Sequence, residues 1–150
     1  MNKRKLDTDR LERNNTLAYK LYDHFNKETG IDIFRNTRKR EYVEARAVFN
    51  FVLYNVHNLG LNDIARFYKA NKKNYDHATV YHSLNNFDVY NLYSKEVSEW
   101  LHILEDYAKG DAKRSLCKKL INKLSKEKIE ETYTFIKNQY KDEAEVVGLV

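Results

Sequence analysis

Proline is absent from the 150 residues, glycine occurs four times and cysteine once. With no Pro, and with Leu, Lys, Glu, Asn and Tyr abundant, little interrupts helix formation except glycines and polar turns, so an all-α chain with short loops is expected. The lone Cys117 can form neither an intrachain disulfide nor a cysteine-based zinc site, which fits a reducing compartment. No apolar run reaches the roughly 18 to 20 residues of a membrane span, and Met1 to Arg4 opens into charged sequence instead of a signal peptide's apolar region. A cytoplasmic protein with no membrane partner is predicted. Gly30, Gly60, Gly110 and Gly148 are too scattered to cradle a triphosphate, and there is no G-x-x-x-x-G-K-[ST] loop, so neither a nucleotide nor any cofactor is expected.

Aromatic residues make up 13% of the chain, and charged residues, at 33%, are interleaved with apolar ones. That composition folds, and its length suits one domain with helical extensions. The net charge is +5, and its location is informative. From Arg35 to His82 nine basic side chains face four acidic ones, a surplus of five that equals the whole excess. A third of the chain therefore carries the footprint of a polyanion-binding surface.

Hydrophobic spacing divides the chain into helices. Thr8 to Glu28 carries Leu11, Leu17, Ala18, Leu21, Tyr22 and Phe25 on one face, and Thr29-Gly30 stops it. Ile31, Ile33 and Phe34 form an apolar anchor before the basic stretch Arg35 to Arg40. A second helix, Tyr42 to His57, buries Ala45, Val48, Phe49, Val52, Leu53 and Val56, with Arg46 and Asn50 expected on its opposite side. Asn58-Leu59-Gly60 ends it through a left-handed residue. Leu61 to Tyr68 is a short helix, and the polar turn Lys69 to Tyr75 leads to Asp76, whose carboxylate can cap the next helix. There Val80, Leu84 and Phe87 are the expected buried stripe, which leaves His77, Ala78, Thr79, His82, Ser83 and Asn86 outward. A helix from Ser94 to Tyr107 packs Val97, Trp100, Leu101 and Leu104 and is expected to break at Lys109-Gly110-Asp111. Ala112 to Leu124 and, after Ser125 as N-cap, Lys126 to Tyr140 follow, the latter with Ile129, Tyr133, Ile136 and Tyr140 in phase. The tail from Asp142 shows no period and is expected to fray.

A short helix, a polar turn and a second helix with an outward polar face, flanked by bases, is the helix-turn-helix pattern, in which the second helix enters the major groove. The turn is longer than the usual length of about three or four residues. The segments Arg38 to Arg46 (RKREYVEAR), Leu61 to Ala65 (LNDIA) and above all Asp76 to His82 (DHATVYH) resemble the C-terminal DNA-binding domain of the bacterial replication initiator DnaA. That family has a basic loop running into an Arg-rich helix start, a Ser-Leu-Pro-Glu-Ile-Gly-type helix, and an Asp-His-Thr-Thr-Val signature opening its recognition helix. The likeness covers about residues 30–107 and lacks the family's ATPase.

The resemblance implies a sequence-specific binder of double-stranded DNA that reads through a helix of about 76–89. Arg38, in the basic loop with Lys39 and Arg40, would enter the minor groove, and Arg46 would hold a phosphate. The amide end of the helix opening at Leu61 and Asn62 would face another phosphate. Asp76 could accept from a cytosine amino group, and His77 and Thr79 would meet bases or backbone in the major groove, with His82 a further DNA-binding candidate on the same outward face. Two departures change the reading head. Ala78 replaces a Thr and offers a methyl group for a thymine methyl, and Tyr75 replaces an Arg. The longer turn adds Lys72 and Lys73. The family's own target sequence is therefore not carried over.

The expected architecture is a DNA-binding head over 1–108 and a helical extension over 109–150. A role in origin recognition or in transcription regulation follows, near the nucleoid, or in the host cytoplasm for a phage or mobile-element protein. Two other classes make different demands on the sequence. A DNA-processing nuclease needs clustered carboxylates or a metal-bound His, whereas the acids here are scattered singly. A protein-interaction module would use the C-terminal helices to form a homodimer, which is compatible with DNA binding because a dimer reads two half-sites.

Overall fold

In a computed structural model the described residues, 3–140, form six helices and no strand. They are α1 (Lys3–Thr29), α2 (Arg40–Asn55), α3 (Leu61–Ala70), α4 (His77–Tyr93), α5 (Lys95–Asn122) and α6 (Lys126–Gln139). Two compact units divide the chain, Met1–Gly110 and Asp111–Val150. The expected fraying after Asp142 lies outside the described residues.

The first unit holds the core. Leu21 and Phe25 from α1 meet Val48, Phe49, Val52 and Leu53 from α2, Ile64, Phe67 and Tyr68 from α3, and Val97 and Leu104 from α5. Ile33 anchors the loop before α2 and is fully buried. Aromatic rings interlock through this core: Phe34 and Phe49 both meet Phe67, and Trp100 stands edge-on to Phe25. Helix α4 packs on both α2 and α3, and α1 packs on α3.

Backbone geometry explains the helix ends. Gly30, with φ 72°, closes α1 while its N–H donates to the Asn26 carbonyl at 2.8 Å. An added Cβ would meet nothing within 4 Å, so the left-handed backbone, not crowding, is what favours glycine there. Asn58, with φ 56°, turns the chain after α2, as its short amide side chain permits.

Several sequence expectations are corrected. Helix α1 begins at Lys3, ahead of Thr8, and α5 runs unbroken through Gly110 to Asn122. A lone glycine costs a helix interior only about 1 kcal/mol, and no proline follows to enforce a stop. On α4, Val80 and Phe87 are buried but Leu84 is only half-buried. Ser83, expected outward, is half-buried. Arg46 and Asn50, placed by periodicity on the outer side of α2, are both buried. The basic loop and α4 cover that side, so α2 is enclosed nearly all round from Glu44 to Asn50.

Phe87 stacks on Phe51 with ring centroids 4.0 Å apart, fixing α4 to α2. Phe87→Ala is expected to remove about 3 to 5 kcal/mol of unfolding free energy. Leu84→Ala should cost distinctly less, because less of that side chain leaves water. Urea denaturation of both variants checks this ordering, and equal losses would contradict the assigned face of α4.

Candidate nucleic-acid interface

Three elements meet beside the N-terminus of α4: the basic loop 35–39, the turn 71–76, and the first turns of α4 itself. The loop contains little regular structure, so its shape needs another source. That source is Arg46, which is 4% exposed. Its Nε donates to the Ile33 carbonyl at 2.8 Å, and its Nη2 donates to the carbonyls of Arg35 at 2.7 Å and Thr37 at 3.0 Å. A planar guanidinium with several donors in a fixed fork suits this task.

The turn is tied to the same loop. Lys73, 8% exposed, donates from Nζ to the Arg35 carbonyl at 3.1 Å and to Asn36 Oδ1 at 3.2 Å. Burial, then the nearby Arg46 charge, pulls its pKa below the usual lysine value. Tyr75 is also inside, stacked on Tyr68 at 4.3 Å. Burial pushes its pKa up, against the opposing pull of Arg46. Arg46, Lys73 and Tyr75 therefore do not stand on the surface as expected for direct DNA contacts. They assemble the loop and the turn into one piece. Among the described residues neither Arg46 nor Lys73 forms an ion pair with a carboxylate. Their partners are neutral, backbone carbonyls and the Asn36 amide oxygen foremost, so both charges add to the cationic field of the loop above them.

A polar chain sets the pose of α4. Tyr68 is fully buried, and its hydroxyl donates to Asn50 Oδ1 at 2.8 Å, while Asn50 Nδ2 donates to Ser83 Oγ at 3.1 Å. These bonds join α3, α2 and α4. Burial, and next the neighbouring Tyr75, raises the Tyr68 pKa well above its ordinary value, so this hydroxyl remains a donor. At the far end of α4, Ser94 donates to Glu44 Oε2 at 3.1 Å. Glu44 also takes the Nε of Arg40 at 2.7 Å, so Arg40 reaches the surface already paired.

The N-terminus of α4 is capped as its sequence suggests. Asp76 Oδ1 accepts from the Thr79 N–H and from the Thr79 hydroxyl, both at 2.8 Å. The carboxylate keeps a second oxygen to offer. Asp76, His77, Ala78, Thr79 and His82 are all exposed, with Val80 buried behind them. Tyr81 and Asn85 share the outward face but were absent from the expected contacts. Their spacing of four from His77 and from Tyr81 was the available signal. Among the described residues Arg38, Lys39, Lys69 and Lys72 are exposed and form no ion pair. Lys72 has φ 60°, a conformation L-residues adopt at a cost of about 1 to 2 kcal/mol. Leu61 is half-buried and Asn62 exposed at the start of α3, where Gly60 is the N-cap.

Among the described residues no group of three or more His, Cys, Asp or Glu side chains could hold a metal ion, and no helix is long and apolar enough to cross a membrane. No protein-family model, curated protein or solved structure matches the chain.

Two measurements test this geometry. Arg46→Lys replaces the guanidinium fork with a single ammonium, leaving buried carbonyls short of partners. It is expected to cost about 1 to 3 kcal/mol and to speed hydrogen exchange at the Thr37 amide, whose own bond to the Arg35 carbonyl is 2.9 Å long. Unchanged exchange there would mean the loop is held by something else. The Thr79 bonds, foremost that from its backbone N–H, lower the Asp76 pKa from 3.8. A depressed carboxylate contributes stability that is present above its unfolded value and is lost as pH falls through the folded one. In an NMR titration the Asp76 carboxyl and the Thr79 amide should move together with a midpoint below 3.8. A midpoint at or above that value would refute the cap.

Proposed function

We propose that the first unit is a helix-turn-helix reader of double-stranded DNA, with α3 as the supporting helix and α4 as the recognition helix. The observation that carries this reading is a single juxtaposition. The exposed polar face at the start of α4 lies next to a cationic loop, and Lys73 bonds the turn before α4 to that loop. Loop cations suit phosphates or a narrow minor groove, and side chains at the start of a helix suit base edges in the major groove. Specificity would rest on Asp76, His77, Ala78, Thr79 and His82, joined by Tyr81 and Asn85. Asn85 has the donor and acceptor needed to pair with adenine.

The likeness of Asp76 to His82 to the DnaA signature supports the same assignment and adds a role. The chain would mark a DNA site as an accessory origin-recognition factor, or regulate transcription with the same head. Arg46, Lys73 and Tyr75 shape the reader, while Arg38, Lys39, Lys69 and Lys72 supply the charge that meets the phosphates.

The test is an in vitro selection of bound duplexes from a random pool, followed by titrations at several salt concentrations. His77→Ala and Arg38→Ala should each weaken binding to the selected site by roughly 1 to 3 kcal/mol. Lys72→Ala should weaken all duplexes nearly equally and lower the salt slope by about one unit. A pool that yields no enriched site, or a His77→Ala variant that selects the parent's sequence with the parent's affinity, would overturn the assignment.

A further inference from the structure

The second unit presents a surface that DNA binding does not explain. Helix α6 has no buried residue, and Ile129, Tyr133 and Ile136, with Tyr140 at its C-cap, are all between 39% and 56% exposed. These four follow one another at spacings of four, three and four, the repeat of a helix that packs along a helical partner. Ser125 caps the helix, its Oγ accepting from the Lys128 N–H at 3.4 Å. Even so, an isolated helix of 14 residues is marginal in water. A 40-residue unit also lies at the limit below which chains need an external partner to fold. Leu116, Leu120 and Ile121, at the end of α5 within the same unit, are exposed as well.

The charges beside the stripe indicate which partner fits. Glu130 follows Ile129 and Lys137 follows Ile136, so both lie along the same edge of the stripe, one acidic and one basic. The opposite edge carries the neutral Thr132 and Gln139. Within α6 the ion pair is Lys128 with Glu131, at 2.8 Å, and among the described residues neither Glu130 nor Lys137 is paired. In an antiparallel helix pair equivalent edges face each other, whereas in a parallel pair each edge faces the other type. A second α6 laid antiparallel therefore brings Glu130 against Lys137 of the partner subunit, and the twofold axis repeats the contact. The same register layers Tyr133 on Ile136 of the partner subunit and Ile129 on Tyr140 of the partner subunit. A parallel copy would set Glu130 and Lys137 against uncharged residues.

We propose that α6 is a self-complementary docking surface that joins two copies of this chain as an antiparallel helix pair. The contact is isologous and closes on itself, so it yields a dimer and not a filament. It stands independently of the DNA-binding proposal. Where both hold, it carries two reading heads on one twofold axis and predicts a target of two inverted half-sites.

The experiment is sedimentation equilibrium of the full chain without DNA, at concentrations from about 1 to 100 μM. The parent is expected to sediment at twice the 18.0 kDa chain mass. Glu130→Lys and Lys137→Glu should each raise the dimer dissociation constant by about tenfold or more, because each sets like charges face to face twice. The doubly swapped E130K/K137E chain should recover the parent's dissociation constant. Tyr133→Asp should sediment as a monomer while the first unit keeps its cooperative melting. A monomeric parent throughout that range would overturn the proposal, and so would single swaps that leave the dimer intact or a double swap that fails to restore it. Since no DNA is present, these outcomes are independent of any failure of the selected-site titrations.

Discussion

A buried guanidinium holds the candidate site together. Arg46 rises from α2 into the underside of the basic loop and binds two of its carbonyls, those of Arg35 and Thr37, and that of Ile33 just before it. Four basic residues occur between positions 35 and 40, and their mutual repulsion opposes a compact loop. Glu44 neutralises Arg40 directly, whereas a carboxylate on each of Arg35, Arg38 and Lys39 would relieve the repulsion but also cancel the outward field. Carbonyl dipoles solve the problem differently, fixing the backbone through bonds to a charged donor while leaving the surface cationic. Lys73 repeats the device from the turn, at the cost of a desolvated ammonium whose pKa falls below its usual value.

From that anchor the rest of the first unit reads as support for one helix. Phe51 and Phe87 fix α4 against α2 through apolar contact, and the chain from Tyr68 through Asn50 to Ser83 fixes its rotation. Apolar packing alone tolerates sliding and rolling. A buried hydrogen-bonded amide does not, because a shift strands polar groups away from water. The same constraint sets which side chains α4 turns outward.

Much of this was legible in the sequence. The all-helical class followed from missing proline and from spacing, and Asn58, Gly30 and Asp76 marked helix ends through the backbone conformations and capping bonds that suit them. The inner lives of polar residues were not legible. Arg46 and Asn50 read as outer-side groups because periodicity assigns sides by hydropathy, and Lys73 and Tyr75 because they fall in a polar turn that the resemblance places at the DNA; each is enclosed for a reason that lies elsewhere in the chain. Arg46 needs carbonyls 9 to 13 residues earlier, Asn50 needs Tyr68 and Ser83, and Lys73 needs a loop 37 and 38 residues away. Gly110 misled in the opposite direction. A local helix weakness was read as a break, yet α5 continues across it.

The resemblance puts an arginine at the position of Tyr75, where this chain has a ring buried on Tyr68. A side chain committed to that stack cannot reach a phosphate, so under the DNA-binding proposal the missing charge must come from elsewhere. The longer turn offers a source. Lys73 closes the turn onto the loop, and Lys72 beside it is left exposed in a left-handed conformation. Strained backbone of that kind persists where neighbouring bonds over-determine it, and here the Lys73 contacts on one side and the Lys69 carbonyl on the other, accepting from the Lys72 N–H at 3.1 Å, do so. Tyr75 and Lys72 then act together: the ring stacked on Tyr68 stabilises the turn, and the turn carries the exposed cation.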